Sequence, residues 1–466
     1  MKTMLFFDDH RLFGRDGLSR RYGEVKLESS FSDGYTSTDH PAAWCFKTDD
    51  GTYKLLYMAQ GTTYRHLKLF CCVSNDGINF TPANLAIEGT QFDHEIPFPA
   101  LDAPGCEIAT VYEDKNASDP SLRYRMLFAR YDDAKLRCEG NIYSSADLIN
   151  WTLCEGSWSD GTEPIASLFY NEYTKKYTSV LRPFWGIRRI GYKTSENMSD
   201  FGEFKNCLIS DACDAPLDEL YGMYAFEYDG MFIGAIQIYS DLHGEYNAKF
   251  HNGSIYTQLA YSYDGEYWMR SLRTPFISGK DRNPSRPLAW TSGSIRLDDG
   301  DLLIYGTSSE YEHGPAFRIL GTGRLDVYRV RKDGFVALCT EKGESGSLIL
   351  REQLWKSGEM HLNLKAAKAT VAVRCTDHDP GNCLSISEPI EGFTHEDCVP
   401  FSGDSKDWIP TWNGERSMKD LVGRTIVIEI RITDGEIYSM RGDFIDLYNT
   451  EAVRYRILGK LPNDRS

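Results

Sequence analysis

The stretch Ser74-Asn75-Asp76-Gly77-Ile78-Asn79-Phe80 ends an apolar, strand-like segment, and three later stretches repeat its form. These are Ser144-Ser145-Ala146-Asp147-Leu148-Ile149-Asn150-Trp151, Thr194-Ser195-Glu196-Asn197-Met198-Ser199-Asp200-Phe201 and Tyr261-Ser262-Tyr263-Asp264-Gly265-Glu266-Tyr267-Trp268. The copies lie about 70, 50 and 68 residues apart, a spacing typical of propeller blades rather than of helical solenoids. Ser, Asn, Asp and Gly favour tight turns and tolerate positive φ. We therefore expect each copy to be a turn whose final aromatic residue packs on the outer strand of a blade. Four copies and one degenerate unit predict five blades.

The strand-like runs between these phrases indicate an all-β chain with two domains. Residues 1–333 are predicted to form a five-bladed β-propeller catalytic domain, with 1–30 as its lead-in segment. Beyond Lys332-Asp333-Gly334, short alternating runs predict a β-sandwich over residues 334–466. Within this domain, Asp434-Gly435 is predicted to be a hairpin turn.

The charge balance of the chain restricts its partners. The sequence has 466 residues and a formal net charge of −17, with no run of Lys and Arg to offset it. Such a chain repels nucleic acid and anionic lipid, so neither is expected as a partner. Aromatic residues make up 13% of the chain and include 28 Tyr and 9 Trp. They favour strands and offer flat surfaces for sugars, and the packing of a Tyr-rich β core explains the same count equally well.

The cysteines and the N-terminal residues indicate the compartment. The 12 Cys are scattered without zinc-ligand spacing, and no EF-hand pattern is present. No cofactor is therefore predicted, and a structural calcium ion is left open. The first apolar run is too short for a signal peptide, and no stretch is long enough to span a membrane. We expect a soluble, cytoplasmic protein, and a homo-oligomer remains open.

Three motifs and the C-terminal region resemble a known group of enzymes. The order of Asp50-Gly51-Thr52-Tyr53-Lys54, Arg123-Tyr124-Arg125-Met126 and Thr174-Lys175-Lys176-Tyr177 resembles that of the five-bladed propeller glycosidases. These are glycoside hydrolase families 32, 43 and 68, with bacterial proteins related to family 32. The stretches Glu396-Asp397-Cys398-Val399-Pro400 and Asp434-Gly435-Glu436-Ile437-Tyr438-Ser439 look like the β-sandwich appended to those relatives. The resemblance implies a carbohydrate substrate.

The resemblance also implies three catalytic acids, although the motifs of family 32 are altered here. Ser37-Thr38-Asp39-His40-Pro41 is the nearest match to the nucleophile motif and makes Asp39 the candidate nucleophile or base. Gly105-Cys106-Glu107-Ile108 stands where an Arg-Asp-Pro motif is expected, and it makes Glu107 the candidate stabiliser or alternate acid. Gly161-Thr162-Glu163-Pro164 replaces a Glu-Cys motif and makes Glu163 the candidate acid.

The propeller explains how distant acids could meet. The first strand of each blade lines the central channel, so residues just before these strands converge at the channel mouth. Four blades carry acids at this position: Asp39, Glu107, Glu163, and Asp218 or Glu219. Acetal hydrolysis needs one carboxylic acid and one carboxylate, and crowded acids keep one of them protonated. Any one of these acids taken alone is better explained as a solvated loop residue, so the prediction depends on their recurrence.

Further residues are candidates for substrate binding: His40, His94, Arg130, Arg182, Glu219, Tyr221 and Trp290. The histidines could bind hydroxyls or could be structural. The arginines could anchor sugar oxygens or pair with the acids. The aromatic residues could stack on a sugar or pack between blades.

The predicted function is that of a glycoside hydrolase acting on a furanoside or a short oligosaccharide. Two rivals remain open. A glycoside phosphorylase would need Arg182, Arg188 and Arg189 to form a phosphate site beside the acids. A non-catalytic carbohydrate-binding propeller would have an aromatic face without a convergent acid pair.

Overall fold

The computed structural model describes residues 1–32, 43–60, 67–103, 105–132, 137–159, 162–183, 186–216, 218–240, 253–278, 288–313, 323–375 and 388–461. The described chain is nearly all β and divides into two compact units. One unit comprises Val25–Val330, and the other combines Met1–Glu24 with Arg331–Ser466. No helix among the described residues is long and apolar enough to cross a bilayer.

The unit that combines Met1–Glu24 with Arg331–Ser466 begins with three strands at the N-terminus of the chain. They are β1 (Lys2–Leu5), β2 (Leu12–Asp16) and β3 (Ser19–Tyr22). The next strand, β4 (Val25–Phe31), belongs to the propeller unit. The lead-in prediction for residues 1–30 was therefore wrong for β1–β3, because these strands hydrogen-bond to strands near the C-terminus of the chain.

Five antiparallel blades form the unit Val25–Val330, as predicted. Blade one consists of β5 (Ala43–Lys47), β6 (Tyr53–Gln60), β7 (Leu67–Ser74), β8 (Thr81–Pro82) and β9 (Glu95–Ile96). Blade two consists of β10 (Cys106–Glu113), β11 (Tyr124–Asp132), β12 (Arg137–Ser145) and β13 (Thr152–Leu153). Blade three consists of β14 (Thr162–Asn171), β15 (Lys176–Pro183), β16 (Ile190–Ser195) and β17 (Lys205–Leu208).

The last two blades share one continuous sheet. Blade four consists of β18 (Asp218–Tyr228), β19 (Met231–Ser240) and β20 (Ser254–Ser262). Blade five consists of β21 (Leu288–Arg296), β22 (Leu302–Ser309) and β23 (Gly323–Val330). The outer strand of blade five is β4, which pairs antiparallel with β23. The first strands contact one another in chain order, and β21 also contacts β5, which closes the ring.

The repeated phrase forms the same turn in four blades. In blade one, the Ser74 Oγ accepts hydrogen bonds from the N–H groups of Asp76 (3.2 Å) and Gly77 (3.0 Å). The Asp76 Oδ1 accepts from the N–H groups of Ile78 and Asn79, both at 2.8 Å. Equivalent bonds form at Ser145 with Asp147 and at Ser262 with Asp264. In blade three, Ser195 accepts from the Met198 N–H, and Asn197 accepts from one N–H, that of Ser199. The turn that was predicted from composition is thus fixed by one polar side chain at each of two positions.

Each turn docks on the blade that precedes it in the ring. The Tyr305 hydroxyl of blade five donates to the Gly77 carbonyl at 2.9 Å, and the Asn171 amide of blade three donates to the Asp264 carbonyl at 2.7 Å. The third residue after the turn serine has positive φ in all four copies: Gly77, Leu148, Met198 and Gly265. Leu148 and Met198 are buried in the cores between neighbouring blades. The turns therefore connect blades as well as strands.

One curled sheet forms the other unit. Its remaining strands are β24 (Val336–Cys339), β25 (Ser345–Leu350), β26 (Gln353–Cys375), β27 (Phe401–Trp408) and β28 (Thr425–Asp446), followed by helix α1 (Asn449–Leu458). The long strands β26 and β28 pair along most of their length and enclose an apolar core that includes Trp355, Leu362, Ile430 and Met440. The hairpin prediction at Asp434-Gly435 was wrong, because β28 continues through these residues. Asp434 has φ of 44°, and Gly435 stays paired with Ala366.

Candidate active site

Three glutamates occupy the second residue of three consecutive first strands. Glu107, Glu163 and Glu219 follow the opening residues of β10, β14 and β18, so they lie inside the strands rather than just before them. All three are partly exposed. The register of each strand shifts at or near its glutamate: between residues 108 and 110 in β10, between 162 and 166 in β14, and between 220 and 222 in β18. Such bulges redirect side chains, which is common near active sites.

A buried arginine faces the glutamate of blade three. The Arg182 Nη2 lies 3.4 Å from the Glu163 Oε2, and the Arg182 guanidinium lies 4.1 Å from the centre of the Tyr221 ring. Arg182 is only 4% exposed. Its Nε and Nη1 are buried and have no hydrogen-bond partner among the described residues. Arg182 therefore pairs with an acid, as one of the two alternatives for the arginines proposed.

The carboxylates of blades two and three share a neighbour. Burial raises the pKa of the Cys138 thiol, and the negative charges of Glu163 and Glu107 raise it further, whereas Arg182 lowers it. All three charged groups must therefore lie within electrostatic range of one thiol. Glu107 and Glu163 also occupy the same position on the first strands β10 and β14, which contact each other.

The glutamate of blade four has its own arginine. Arg188, between β15 and β16, donates to the Glu219 Oε2 and lies 4.8 Å from the Tyr239 ring centre and 5.4 Å from that of Tyr221. Burial works to lower the pKa of Arg188, but Tyr221 and Glu219 outweigh it and raise that pKa. Asp218, the alternative acid in this blade, instead accepts a hydrogen bond from the Tyr256 hydroxyl at 2.7 Å.

An aromatic cluster supports these two ion pairs. Tyr221 packs edge-on to Trp290 with 5.2 Å between the ring centres, and its hydroxyl lies 2.8 Å from the His313 Nε2. Trp290 is fully buried and Tyr221 is 5% exposed, so blade packing is what the structure shows for both. The sequence reasoning missed His313. The sequence signal that could have identified His313 is its position. His313 follows the second strand of blade five, and Arg182 lies at the end of the second strand of blade three.

The other predicted residues lie elsewhere. His94 is buried between the rings of Phe70 and Phe92, at the outer strands of blade one. Arg130 is exposed near the end of β11. Burial raises the pKa of the Cys106 thiol, Arg130 lowers it and Glu107 raises it. Asp39 and His40 lie outside the described residues.

The glutamates do not lie at one depth in the channel. Depth can be counted from the turn residue of each blade. In blade two, Ser145 pairs with Tyr124, and Ala129, the partner of Glu107, lies five residues farther along β11. In blade four, the turn residue Ser262 pairs with Phe232, and Tyr239, the partner of Glu219, lies seven residues farther along β19. Two strand residues correspond to about 7 Å. Glu219 is therefore displaced toward the edge where the first strands begin, and Glu107 is the more deeply placed acid.

This arrangement can carry out acid–base chemistry. It offers two carboxyl groups in one electrostatic environment and a buried cation beside one of them. Among the described residues, no three His, Cys, Asp or Glu side chains are grouped to hold a metal ion.

Comparison with known proteins gives similarity of fold only. No family model matches the chain, and no curated protein does. Among solved structures, the chain is similar to an N-acetylgalactosamine deacetylase from F. plautii in complex with blood group B trisaccharide, with 10% identity and a TM-score of 0.45 over 67% of this chain and 95% of that chain. It is also similar to an exo-1,5-alpha-L-arabinanase from a bovine ruminal metagenomic library, with 13% identity and a TM-score of 0.43 over 66% of this chain and 99% of that chain. A third is an endo-1,4-beta-xylanase from Bacteroides thetaiotaomicron, with 13% identity and a TM-score of 0.43 over 66% of this chain and 96% of that chain.

Proposed function

We propose that the chain is a glycoside hydrolase that cleaves a furanoside or a short oligosaccharide in the propeller channel. The observation that carries this proposal is the placement of Glu107 and Glu163, which occupy the same position on the contacting first strands of neighbouring blades, with Arg182 beside Glu163. Acetal hydrolysis requires such a pair, with one group donating a proton to the leaving oxygen and the other attacking or activating water.

The ion pair supports a division of roles that differs from the motif-based one. The Arg182 Nη2 lies 3.4 Å from the Glu163 Oε2, so the guanidinium can hold this carboxyl group in a fixed orientation. We therefore assign Glu163 as the carboxylate that attacks, activates water or stabilises the transition state. Glu107, which has one oxygen shielded from solvent, is assigned as the proton donor. Asp39 remains a candidate for the second carboxylate.

Substitution of the two glutamates tests the proposal. Aryl furanosides and aryl pyranosides are assayed with the wild type and with Glu163→Gln, Glu107→Gln and Asp39→Asn. Loss of a positioned acid or base is expected to lower kcat by about 100- to 10,000-fold for Glu163→Gln and Glu107→Gln. The exposed Glu196→Gln, on the turn of blade three, serves as the control and is expected to be unchanged. Equal rates for the wild type and both glutamate variants would contradict the proposal.

The buried donors of Arg182 favour one alternative, a glycoside phosphorylase. A buried guanidinium whose Nε and Nη1 have no hydrogen-bond partner among the described residues would suit a phosphate oxygen. The other two arginines of that hypothesis are already engaged, since Arg188 binds Glu219 and Arg189 donates to the Asn206 side chain at 2.7 Å. The same assay with inorganic phosphate distinguishes the two reactions, because a phosphorylase releases a sugar 1-phosphate and a hydrolase releases free sugar.

A further inference from the structure

A polar groove of about 450 Å³ lies in the unit that contains the C-terminal strands. That volume is within the range of small-molecule sites. Its lining residues come from β2, β25, β26, β28 and the segment before β27: Asp16, Ser345, Gly346, Ser347, Lys368, Thr370, His395, Glu396, Arg431 and Thr433. None of these residues has any part in the channel chemistry described above.

The floor of the groove is one face of four adjacent strands. Strand register places Asp16 opposite Ser347, Ser347 opposite Arg431, and Arg431 opposite Thr370, so these residues form a row across the sheet. A second row runs from Ser345 through Thr433 to Lys368. Adjacent strands are about 4.8 Å apart, so the first row spans roughly 14 Å. A ligand in the groove would cross the strands and meet both rows.

A buried carboxylate in the row next to the floor holds several floor residues in place. Glu429 is 3% exposed, and its Oε1 accepts from the Arg431 Nε at 2.9 Å and lies 3.3 Å from the His395 Nε2. Its Oε2 accepts from the Arg374 Nε at 3.1 Å. Burial works to raise the pKa of Glu429, but Arg374 and Arg431 outweigh it and lower that pKa. The His395 Nδ1 in turn lies 3.0 Å from the Thr370 Oγ1. The groove residues Arg431, His395 and Thr370 are therefore held in place before any ligand arrives.

The chemistry of the lining excludes several classes of ligand. Among the described residues, no aromatic or large aliphatic side chain lines the groove, so an apolar ligand would find little contact surface. A simple anion would meet the carboxylates of Asp16 and Glu396, and Arg431 already directs two of its donors at Glu429. His395 adds no positive charge near neutral pH, because burial and Arg431 lower its pKa. The described residues also offer no cluster of metal ligands.

A neutral, polyhydroxylated ligand satisfies all of these groups together. Each hydroxyl can donate to a carboxylate and accept from Lys368 or from a Ser or Thr hydroxyl. We propose that this groove is a non-catalytic binding site for a neutral oligosaccharide, separate from the channel site. The proposal does not require that the channel be hydrolytic.

Paired substitutions at exposed side chains test this site. The probes are the neutral trisaccharides 1-kestose, arabinotriose, xylotriose and mannotriose, and the charged trisaccharide of galacturonic acid. Binding to full-length Glu163→Gln protein is measured by calorimetry and by saturation-transfer NMR. In that background, Lys368→Ala with Glu396→Gln removes one groove donor and one groove acceptor. The matched control, Lys365→Ala with Glu391→Gln, alters exposed residues outside the groove.

The expected result is that at least one neutral probe binds and that the groove variant weakens its binding at least tenfold while the control leaves it unchanged. No binding by any neutral probe, or binding that the groove variant does not alter, would overturn the proposal. Binding of the charged probe alone would also overturn it. Aryl glycosides report the channel separately, since the groove variant in an otherwise wild-type chain is expected to cleave them at the wild-type rate. Failure of hydrolysis would leave a positive binding result standing.

Discussion

The two edges of the propeller blades differ in how closely they repeat. At the edge where the third strands end, four blades share one turn in which a Ser side chain and an Asp or Asn side chain accept backbone hydrogen bonds. At the opposite edge, where the first strands begin, Glu107, Glu163 and Glu219 have different partners and lie at different depths. The repeated edge therefore holds the ring together, whereas the side chains at the other edge are free to differ from blade to blade.

At the repeated edge, two kinds of residue occupy the turn position that has positive φ. The position with positive φ is Gly77 and Gly265 in blades one and four, but it is Leu148 and Met198 in blades two and three. A left-handed conformation costs a non-glycine residue about 1–2 kcal/mol. Burial of a large apolar side chain contributes about 1.5–3 kcal/mol, so Leu148 and Met198 offset the strain by packing between blades.

The largest expected effect lies at the variable edge. Arg182→Gln leaves the partly buried Glu163 without its cation, and we expect the free energy of unfolding to fall by about 3 kcal/mol. Adding Glu163→Gln should restore part of this loss, with a coupling of about 1–3 kcal/mol in urea unfolding. Strictly additive effects would show that the two side chains do not interact. The more exposed pair of Arg188 and Glu219 provides the reference cycle and should couple more weakly.

A smaller effect is expected at the repeated edge. Gly265→Ala would place a Cβ 2.7 Å from the Nδ2 of Asn171, whose hydrogen bond to the Asp264 carbonyl joins two blades. Together with the strain of its φ of 75°, this should lower the free energy of unfolding by about 2 kcal/mol.

Gly51→Ala separates the two contributions to that loss. Gly51 has a similar φ of 84° and open space around its added Cβ, so we expect a loss of only about 1 kcal/mol. Equal losses for both variants would mean that docking of the turn on the preceding blade contributes nothing.

The smallest effect concerns the one turn that lacks a charge. Asn197 stands where the other copies have Asp76, Asp147 and Asp264. Partial burial works to raise the pKa of Asp76, but the N–H groups of Asn79 and Ile78 outweigh it and lower that pKa. Asn197→Asp should therefore add up to about 0.5–1 kcal/mol at pH 7, a modest gain because the site is exposed to solvent.

The added stability should depend on pH. A carboxyl whose pKa is lower in the folded state stabilises the fold above its unfolded pKa of about 3.9, and this contribution is lost as the pH falls further. Urea unfolding at pH 7 and pH 3 measures the gain and its loss. Asp298→Asn, at a side chain that is 98% exposed, is the control and should change little at either pH. A gain that persists at pH 3 would refute the charge-based explanation.

Local chemistry made much of the propeller predictable. The residues of the phrase around Asp76 form their turn through short-range hydrogen bonds, so the turn and the blade count followed from sequence. The first strands followed from the same repeat, and so did the positions of Glu107, Glu163 and Glu219 at their starts. The catalytic roles of these acids stay a prediction.

Other features depend on pairing between distant residues, which a local pattern does not encode. The assignment of β1–β3 is set by strands more than 300 residues away. The depth of Glu219 relative to Glu107 is set by the number of strand residues between the bulge and the far end of the first strand, which is larger in β18 than in β10. The role of His313 depends on its contact with Tyr221, 92 residues earlier in the chain.

Closure of the ring by β4 has a consequence for synthesis of the chain. Val25–Phe31 leaves the ribosome early but pairs with Leu325–Val330, so this strand must wait for nearly the whole propeller to emerge. Until then its edge is open to pairing with other chains, and such distant contacts also make folding slow. The first blades can form while translation continues, whereas the fifth is completed only at the end. Aggregation of nascent chains is therefore expected to depend most on stalling before residue 325.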